Sequence, residues 1–291
     1  QLLSFNDNTA ISSMDMTLNG DLIVGTGASA FEGNATGTGG SEFRGNGIYI
    51  SKDKGNSFSH IMDPQNQAYD YNSDLGDINE IVADPLNGNR VWVASREGLF
   101  RLDVTTGETF KPTGIPNSAS VRDVSITADG NTLLAVAGTV VYRSKNAGET
   151  FSSVSGAGSG QLPTSGVGRI ETSIAQDDAR YMYALISASN GQLLNAYGSN
   201  NGGDTWVVIM PGDIAPYSSL FGTGQGGYDN VISAVPGKPG ECIIGGVTLW
   251  KSGVESQPEQ IALNFASEVS PLYVHSDIHE FTWSPEGLLY I

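Results

Sequence analysis

The chain reads as an all-β protein, a β-propeller of four-stranded antiparallel blades, and three observations predict this. First, a turn motif recurs. Ser51-Lys52-Asp53-Lys54-Gly55-Asn56-Ser57-Phe58, Ser144-Lys145-Asn146-Ala147-Gly148-Glu149-Thr150-Phe151 and Ser199-Asn200-Asn201-Gly202-Gly203-Asp204-Thr205-Trp206 share Ser, an Asp or Asn, Gly and an aromatic at the same offsets. A partial copy starts at Asp103 and an eroded one at Ser252, so starts 51, 103, 144, 199 and 252 are spaced by 52, 41, 55 and 53 residues. Second, each period divides into four short apolar runs separated by turn residues. Third, no amphipathic stretch of useful helical length interrupts them. A period of this length holding four strands is the signature of a propeller blade.

Taken in order, the first blade (about 11–62) uses runs 11–18, 21–26, 47–51 and 57–62. The second (78–113) uses 78–83, 90–95, 98–103 and 109–113. The third (121–154) uses 121–127, 132–137, 140–144 and 150–154. The fourth (170–210) uses 170–175, 181–187, 194–199 and 205–210. The fifth (228–265) uses 228–235, 241–245, 248–252 and a strand after Gln260. A sixth (275–291) offers 275–284 and 287–291. Residues 1–291 are thus expected to form one propeller domain, with five blades and part of a sixth, and with seven blades, or six or eight, in the intact ring. The apolar run at 288–291 predicts that the protein continues, and a start at Gln1 predicts a processed or partial chain.

The turn motif has a physical sense. The Asp or Asn side chain accepts hydrogen bonds from the backbone amides that follow it. The Gly two residues on takes a left-handed φ without a steric penalty. The aromatic opens the next strand and packs back under the turn. The pattern resembles the Asp-box, or BNR repeat, of sialidase-like and sortilin-like β-propellers. In that family the box is a structural clip on the outer edge of a blade, which is the role the resemblance implies for Ser51, Asp53, Gly55, Ser144, Asn146, Gly148, Ser199, Asn201, Gly203 and Trp206.

Composition agrees with this reading. Glycine accounts for 38 of 291 residues and charged residues for only 15%, which suits many short strands joined by tight turns. The formal net charge of −17, from 14 basic and 31 acidic residues, argues against nucleic-acid or anionic-membrane partners. No apolar run approaches the ~20 residues of a spanning helix. Cys242 is the lone cysteine and reads as a small buried hydrophobe.

The connections point to function. In an up-and-down blade the first and third turns share one end, and the second turn and the crossover to the next blade share the other. The long segments 27–46, 63–77, 156–169, 188–193 and 211–227 all belong to the second set, so they should collect on one face. Long loops on a rigid scaffold carry recognition.

Aligning the innermost strands yields one polar column of Ser12, Asn79, Arg122, Glu171, Asp229 and His279, and a second of Ser13, Glu80, Asp123, Thr172, Asn230 and Glu280. These columns should ring the mouth of the central channel, either converging on a ligand or lining a water-filled channel. His275, Asp277 and His279 stand at i, i+2 and i+4, on one face if the segment is a strand. They could hold calcium or another divalent ion, or form a hydrogen-bonded network. The stretch also resembles a His-x-Asp-x-His segment of BNR-repeat propellers. Tyr69, Tyr71, Tyr217, Phe221 and Tyr228 suit sugar stacking or capture of an extended peptide, and equally suit pinning the loops. The glycine-rich run 222–227 lacks the context of a phosphate loop.

Three functions compete. A sialidase needs an arginine triad, and the chain lacks the Arg-Ile-Pro element that opens that family. A xyloglucanase-like glycoside hydrolase could use Glu171 and Asp229 as its paired carboxylates. The favoured reading is a secreted or cell-surface binding module with no required cofactor. It would recognise a glycan or an extracellular protein on the long-loop face, as the resemblance of 25–27 and 47–51 to BNR-repeat and sortilin-like modules implies.

Overall fold

In the computed structural model, residues 10–27, 45–70, 73–262 and 273–291 are described. The chain divides into two compact units, residues 1–138 with 142–152 and residues 139–141 with 153–291.

The first unit begins with β1 (Ile11–Met16), β2 (Leu22–Thr26), β3 (Ile48–Ser51) and β4 (Ser59–His60), which form an antiparallel sheet in chain order. A second sheet follows with β5 (Ile78–Ala83), β6 (Arg90–Ser95), β7 (Gly98–Asp103) and β8 (Thr109–Phe110), again in chain order. The third comprises β9 (Val121–Ile126), β10 (Leu133–Ala137), β11 (Val140–Ser144) and β12 (Ser152–Ser153). The strands form where β-branched and aliphatic residues cluster, and β6 and β10 are buried along nearly their whole length because both faces are covered. Ile23, Ile48 and Ile50 pack on Ile78, Ile81 and Val93, all buried. Trp92 and Leu99 pack with Val124, Leu133 and Phe151.

The second unit contains β13 (Val167–Ile174), β14 (Met182–Ala188), β15 (Leu193–Ser199) and β16 (Val207–Pro211) as one sheet. A second sheet holds β17 (Val231–Val235), β18 (Lys238–Gly245), β19 (Leu249–Gly253) and β20 (Ser256–Ala262). A two-stranded sheet of β21 (Thr282–Trp283) and β22 (Leu289–Tyr290) completes it. Tyr183, Leu185, Phe221, Ile232, Ile244 and Trp250 belong to one core cluster. Cys242 lies in that core, where burial pushes its thiol up.

The turn motif folds as a repeated hydrogen-bonded clip. Ser51 Oγ donates to Asp53 Oδ1 at 2.8 Å and accepts from Gly55 N at 2.8 Å, while Asp53 Oδ1 accepts from Ser57 N at 2.8 Å. Ser144, Asn146, Gly148 and Thr150 repeat the three bonds at 2.8, 3.0 and 3.0 Å. Ser199, Asn201, Gly203 and Thr205 repeat them at 2.9, 2.9 and 3.0 Å. Hydrogen bonds from Ser57 and Ser51 hold the Asp53 carboxyl down at about 2. Phe151 and Trp206, which follow their turns, are buried.

Three expectations need correction. The turn after Ser252 is not a clip: β19 and β20 join in a tight hairpin, and Ser252 Oγ donates instead to Ile209 O. The expected strand 228–235 starts only at Val231, because Tyr228 N and Asp229 N both bond to Gln225 O in a turn. The expected strand 275–284 shrinks to Thr282–Trp283, since residues 275–280 are irregular and Asp277 takes a φ of 69°. His275, Asp277 and His279 therefore do not share a strand face. Among the described residues no helix is long and apolar enough to cross a membrane.

Candidate functional site

The polar side chains that come together lie in the second unit, on β13, on the loop before β17 and on the segment before β21. The 212–230 loop is fixed to its own unit by backbone bonds: Gly226 N to Gly191 O and Val247 N to Leu220 O, both at 2.8 Å. Leu220 and Phe221 plug into the core beneath it and are fully buried. Tyr217 sets its ring edge-on to Trp250 at 5.4 Å. Ile278 N bonds to Gly246 O and ties the second segment down in the same way.

Asp229 sits at the base of this arrangement with 0% exposure. Its Oδ2 accepts from Gln225 Nε2 at 3.1 Å, and the same nitrogen donates to Asp277 Oδ1 at 3.1 Å. Its Oδ1 has no hydrogen-bond partner and stands 3.5 Å from His279 Nδ1. Burial, followed by the Asp277 charge and a hydrogen bond shared with Asp277, pushes the Asp229 carboxyl up to about 7, against a smaller opposing pull from Arg169. One amide nitrogen, 3.1 Å from an oxygen of each, holds the two carboxyls as neighbours.

Around them, Arg169 on β13 binds Glu171 Oε1 through Nε at 2.7 Å and Tyr228 O through Nη1 at 3.0 Å. Desolvation, and then the Glu171 charge, raises the Glu280 carboxyl. Tyr228 is 50% exposed and meets His279 edge-on at 4.3 Å. The result is a half-exposed aromatic ring and a histidine beside two carboxyls bridged by an amide.

The other expected residues lie elsewhere or serve the scaffold. Asn79 on β5 is buried and donates from Nδ2 to Val121 O at 2.6 Å, so it joins two sheets of the first unit. Arg122 is half-buried on β9 of the first unit. Tyr69 is buried and its hydroxyl donates to Gly107 O at 2.6 Å, with burial pushing the phenol up to about 12. Tyr69 and Phe221 therefore hold loops in place instead of facing solvent, because each ring has an apolar seat beneath its loop. Tyr71 lies outside the described residues. His275 is exposed, its ring nitrogen on its neighbour's carbonyl at Ser276. Among the described residues no three His, Cys, Asp or Glu side chains are grouped to hold a metal ion.

Gln225 is the residue that sequence reasoning missed. It sits inside the glycine-rich run, and nothing in one dimension marks it as the bridge between carboxyls 48 residues apart. The first unit also has a surface pocket of about 370 Å³ with Lys52, His60, Asp63 and Thr105 on its wall, and no expected site residue lines it.

No protein-family model matches the chain, and no curated protein matches it. Among solved structures it is similar to the GH74 enzyme of Niastella koreensis, at 16% identity and a TM-score of 0.57, over 82% of this chain and 36% of that one. It is similar to YCF48 bound to D1 peptide, at 12% and 0.55, over 96% of this chain and 74% of that one. It is also similar to a catalytically inactive virginiamycin B lyase from Staphylococcus aureus with quinupristin, at 9% and 0.56, over 90% and 73%. The chain spans about a third of the length of the GH74 chain. At these identities the likeness concerns fold alone, and with the four-stranded antiparallel sheets it makes the chain a β-propeller.

Proposed function

We propose that this chain is the propeller recognition module of a secreted or cell-surface protein, and that the Tyr228 site of its second unit binds a glycan. The observation that carries the reading is the half-exposed Tyr228 ring, braced by His279 and set beside Asp229, Asp277 and Gln225. An exposed ring offers a stacking face for the apolar side of a sugar. Carboxylates and histidine at its edge offer fixed partners for hydroxyls. The secreted or cell-surface placement rests on the resemblance of the turn motif alone.

A glycoside hydrolase is the second reading, favoured by a carboxyl raised to about 7 and thus able to give up a proton near neutrality. The GH74 neighbours lend it the fold and no more. Against it, the expected carboxylate pair is already engaged: Arg169 holds Glu171 at 2.7 Å, and Asp229 is fully buried on Gln225. Glycan-array screening followed by titration decides the first reading. Tyr228→Ala should cut glycan affinity by about tenfold or more, as loss of a stacking anchor does. Binding that survives the substitution unchanged would place the ligand elsewhere. Release of reducing sugar from the bound glycan would favour the hydrolase.

A further inference from the structure

The charges in the second-unit site do not balance. Asp229, Asp277, Glu171 and Glu280 lie near Arg169, whose guanidinium already holds Glu171 and the Tyr228 carbonyl, and near His279, whose Nδ1 stands 3.5 Å from Asp229 Oδ1. Independently of that crowding, Asp229 Oδ1 is buried with no hydrogen-bond partner, and the nitrogen facing it, His279 Nδ1, stands 3.5 Å away. A buried acceptor of this kind is costly unless a donor or a charge answers it. Asp277, in front of it, is exposed, and so is the Tyr228 ring.

From this we infer that the glycan carries a protonated amine, and that the ammonium seats on Asp277 against the Tyr228 face, with Asp229 behind supplying the second negative charge. The inference rests on the glycan reading above and specifies its ligand as an amino sugar. A neutral hydroxyl could donate one bond to Asp277 but would bring no charge to meet the exposed carboxylate. An ammonium brings three donors and a full charge, and a ring face beside it adds cation–π attraction. With the site empty, Asp229 keeps its proton and shares it with Asp277. With the ammonium bound, Asp229 loses that proton to solvent, so two carboxylates face one cation. The groups that bear on Asp229 are Asp277 and His279 from the 273–281 segment, Arg169 and Glu171 from β13, and Gln225 from the loop. Arg169 opposes the uptake of a proton, and so does His279 when it is protonated, 3.5 Å from Asp229 Oδ1.

The test uses a glucosamine tetramer and its fully N-acetylated counterpart, titrated calorimetrically at about pH 6, where both the amine and Asp229 hold their protons. Repeating the titration in buffers of different ionisation enthalpy counts the protons released. The expected result is affinity for the glucosamine tetramer at least about tenfold above that for the acetylated one, with net proton release. Asp277→Asn should bring the two ligands level, and Asp229→Asn should abolish the proton release while the fold is retained, as judged by circular dichroism. Equal affinity for both tetramers, or binding without proton release, overturns the amine and leaves the glycan reading standing. If neither tetramer binds but a lysine-rich peptide does, the glycan reading itself fails and this inference goes with it.

Discussion

Glu80 Oε2 accepts a hydrogen bond from Val124 N at 2.6 Å, joining the inner strand of one sheet to the inner strand of the next. The relationship recurs in the first unit, where Ser13 Oγ takes Ile81 N at 3.0 Å and Asp15 Oδ2 takes Ala83 N at 2.7 Å. It recurs in the second unit, where Ser173 Oγ takes Ala234 N at 3.0 Å. The inner strand is an edge, so alternate amides have no ladder partner. A polar side chain on the preceding sheet supplies that partner and pins the spacing of the sheets.

Removing the latch should therefore cost more than removing an ordinary surface carboxylate. Glu80→Ala is expected to lower the stability of the first unit by about 1.5–3 kcal/mol, the range for a bond to a charged acceptor with one partner left unmet. Urea unfolding followed by intrinsic fluorescence measures it. A loss below about 0.5 kcal/mol would mean that water replaces the carboxylate at no penalty.

Gly148 and Gly138 make a matched pair in the first unit. Gly148 has a φ of 77°, and a Cβ there would lie 2.2 Å from the Trp92 ring. Gly138 has a φ of 60° with open space around it. Gly138→Ala should cost about 1–2 kcal/mol, from the left-handed backbone alone. Gly148→Ala should add about 1–3 kcal/mol of overpacking to that, and thermal unfolding of the two variants side by side reads the difference.

Phe221 and Tyr228, seven residues apart in one loop, should separate cleanly. Phe221→Ala empties a fully buried seat and is expected to cost about 3–5 kcal/mol. Tyr228→Ala, at a half-exposed ring, should leave stability within about 0.5 kcal/mol while weakening the glycan. Equal destabilisation by both would show that Tyr228 pins the loop as Phe221 does.

The pH dependence follows from Asp229. Its carboxyl rises from 3.8 to about 7 on folding, so between those values the folded chain holds a proton that the unfolded chain does not. Stability from this group is therefore full below the unfolded value, falls as pH rises toward about 7, and is flat above it. Asp229→Asn removes that slope. The difference between variant and parent should shift in the variant's favour by roughly 1–3 kcal/mol between about pH 4.5 and pH 8, as chemical denaturation at each pH would show. An unchanged difference would mean that Asp229 is ionised in the folded protein throughout.

Much of the architecture was legible because its signals are local. The Ser-x-Asx-x-Gly clip needs only eight contiguous residues, so Asp53, Asn146 and Asn201 could be placed before any packing was known, and their bonds are the ones that the side chains dictate. The strands β5, β6, β7 and β11 begin and end where the apolar runs do. The outer strands of the first unit came out shorter than expected, Ser59–His60 in place of 57–62, because an edge strand has only one partner to hold its ends, whereas β20 starts at Ser256, ahead of the strand expected after Gln260.

The site was legible only in pieces. Asp229, His279 and Tyr228 were nameable from the inner-strand columns and the loop aromatics. Their meeting depends on a turn at Gln225 and a left-handed Asp277, and neither announces itself in the order of residues. Whether Tyr69 and Phe221 face a ligand or pin their loops stays open in the sequence, because hydropathy along a loop does not say which ring will find an apolar seat.

The sequence by itself determined the repeat, the clip and the alternation of short strands and turns, since each follows from backbone chemistry over a handful of neighbours. Only the tertiary structure decided that Asp229 would be buried against Asp277 and left with an open oxygen. Burial and charge crowding are properties of side chains brought together from distant positions, and no local pattern encodes the dielectric in which a carboxyl will sit.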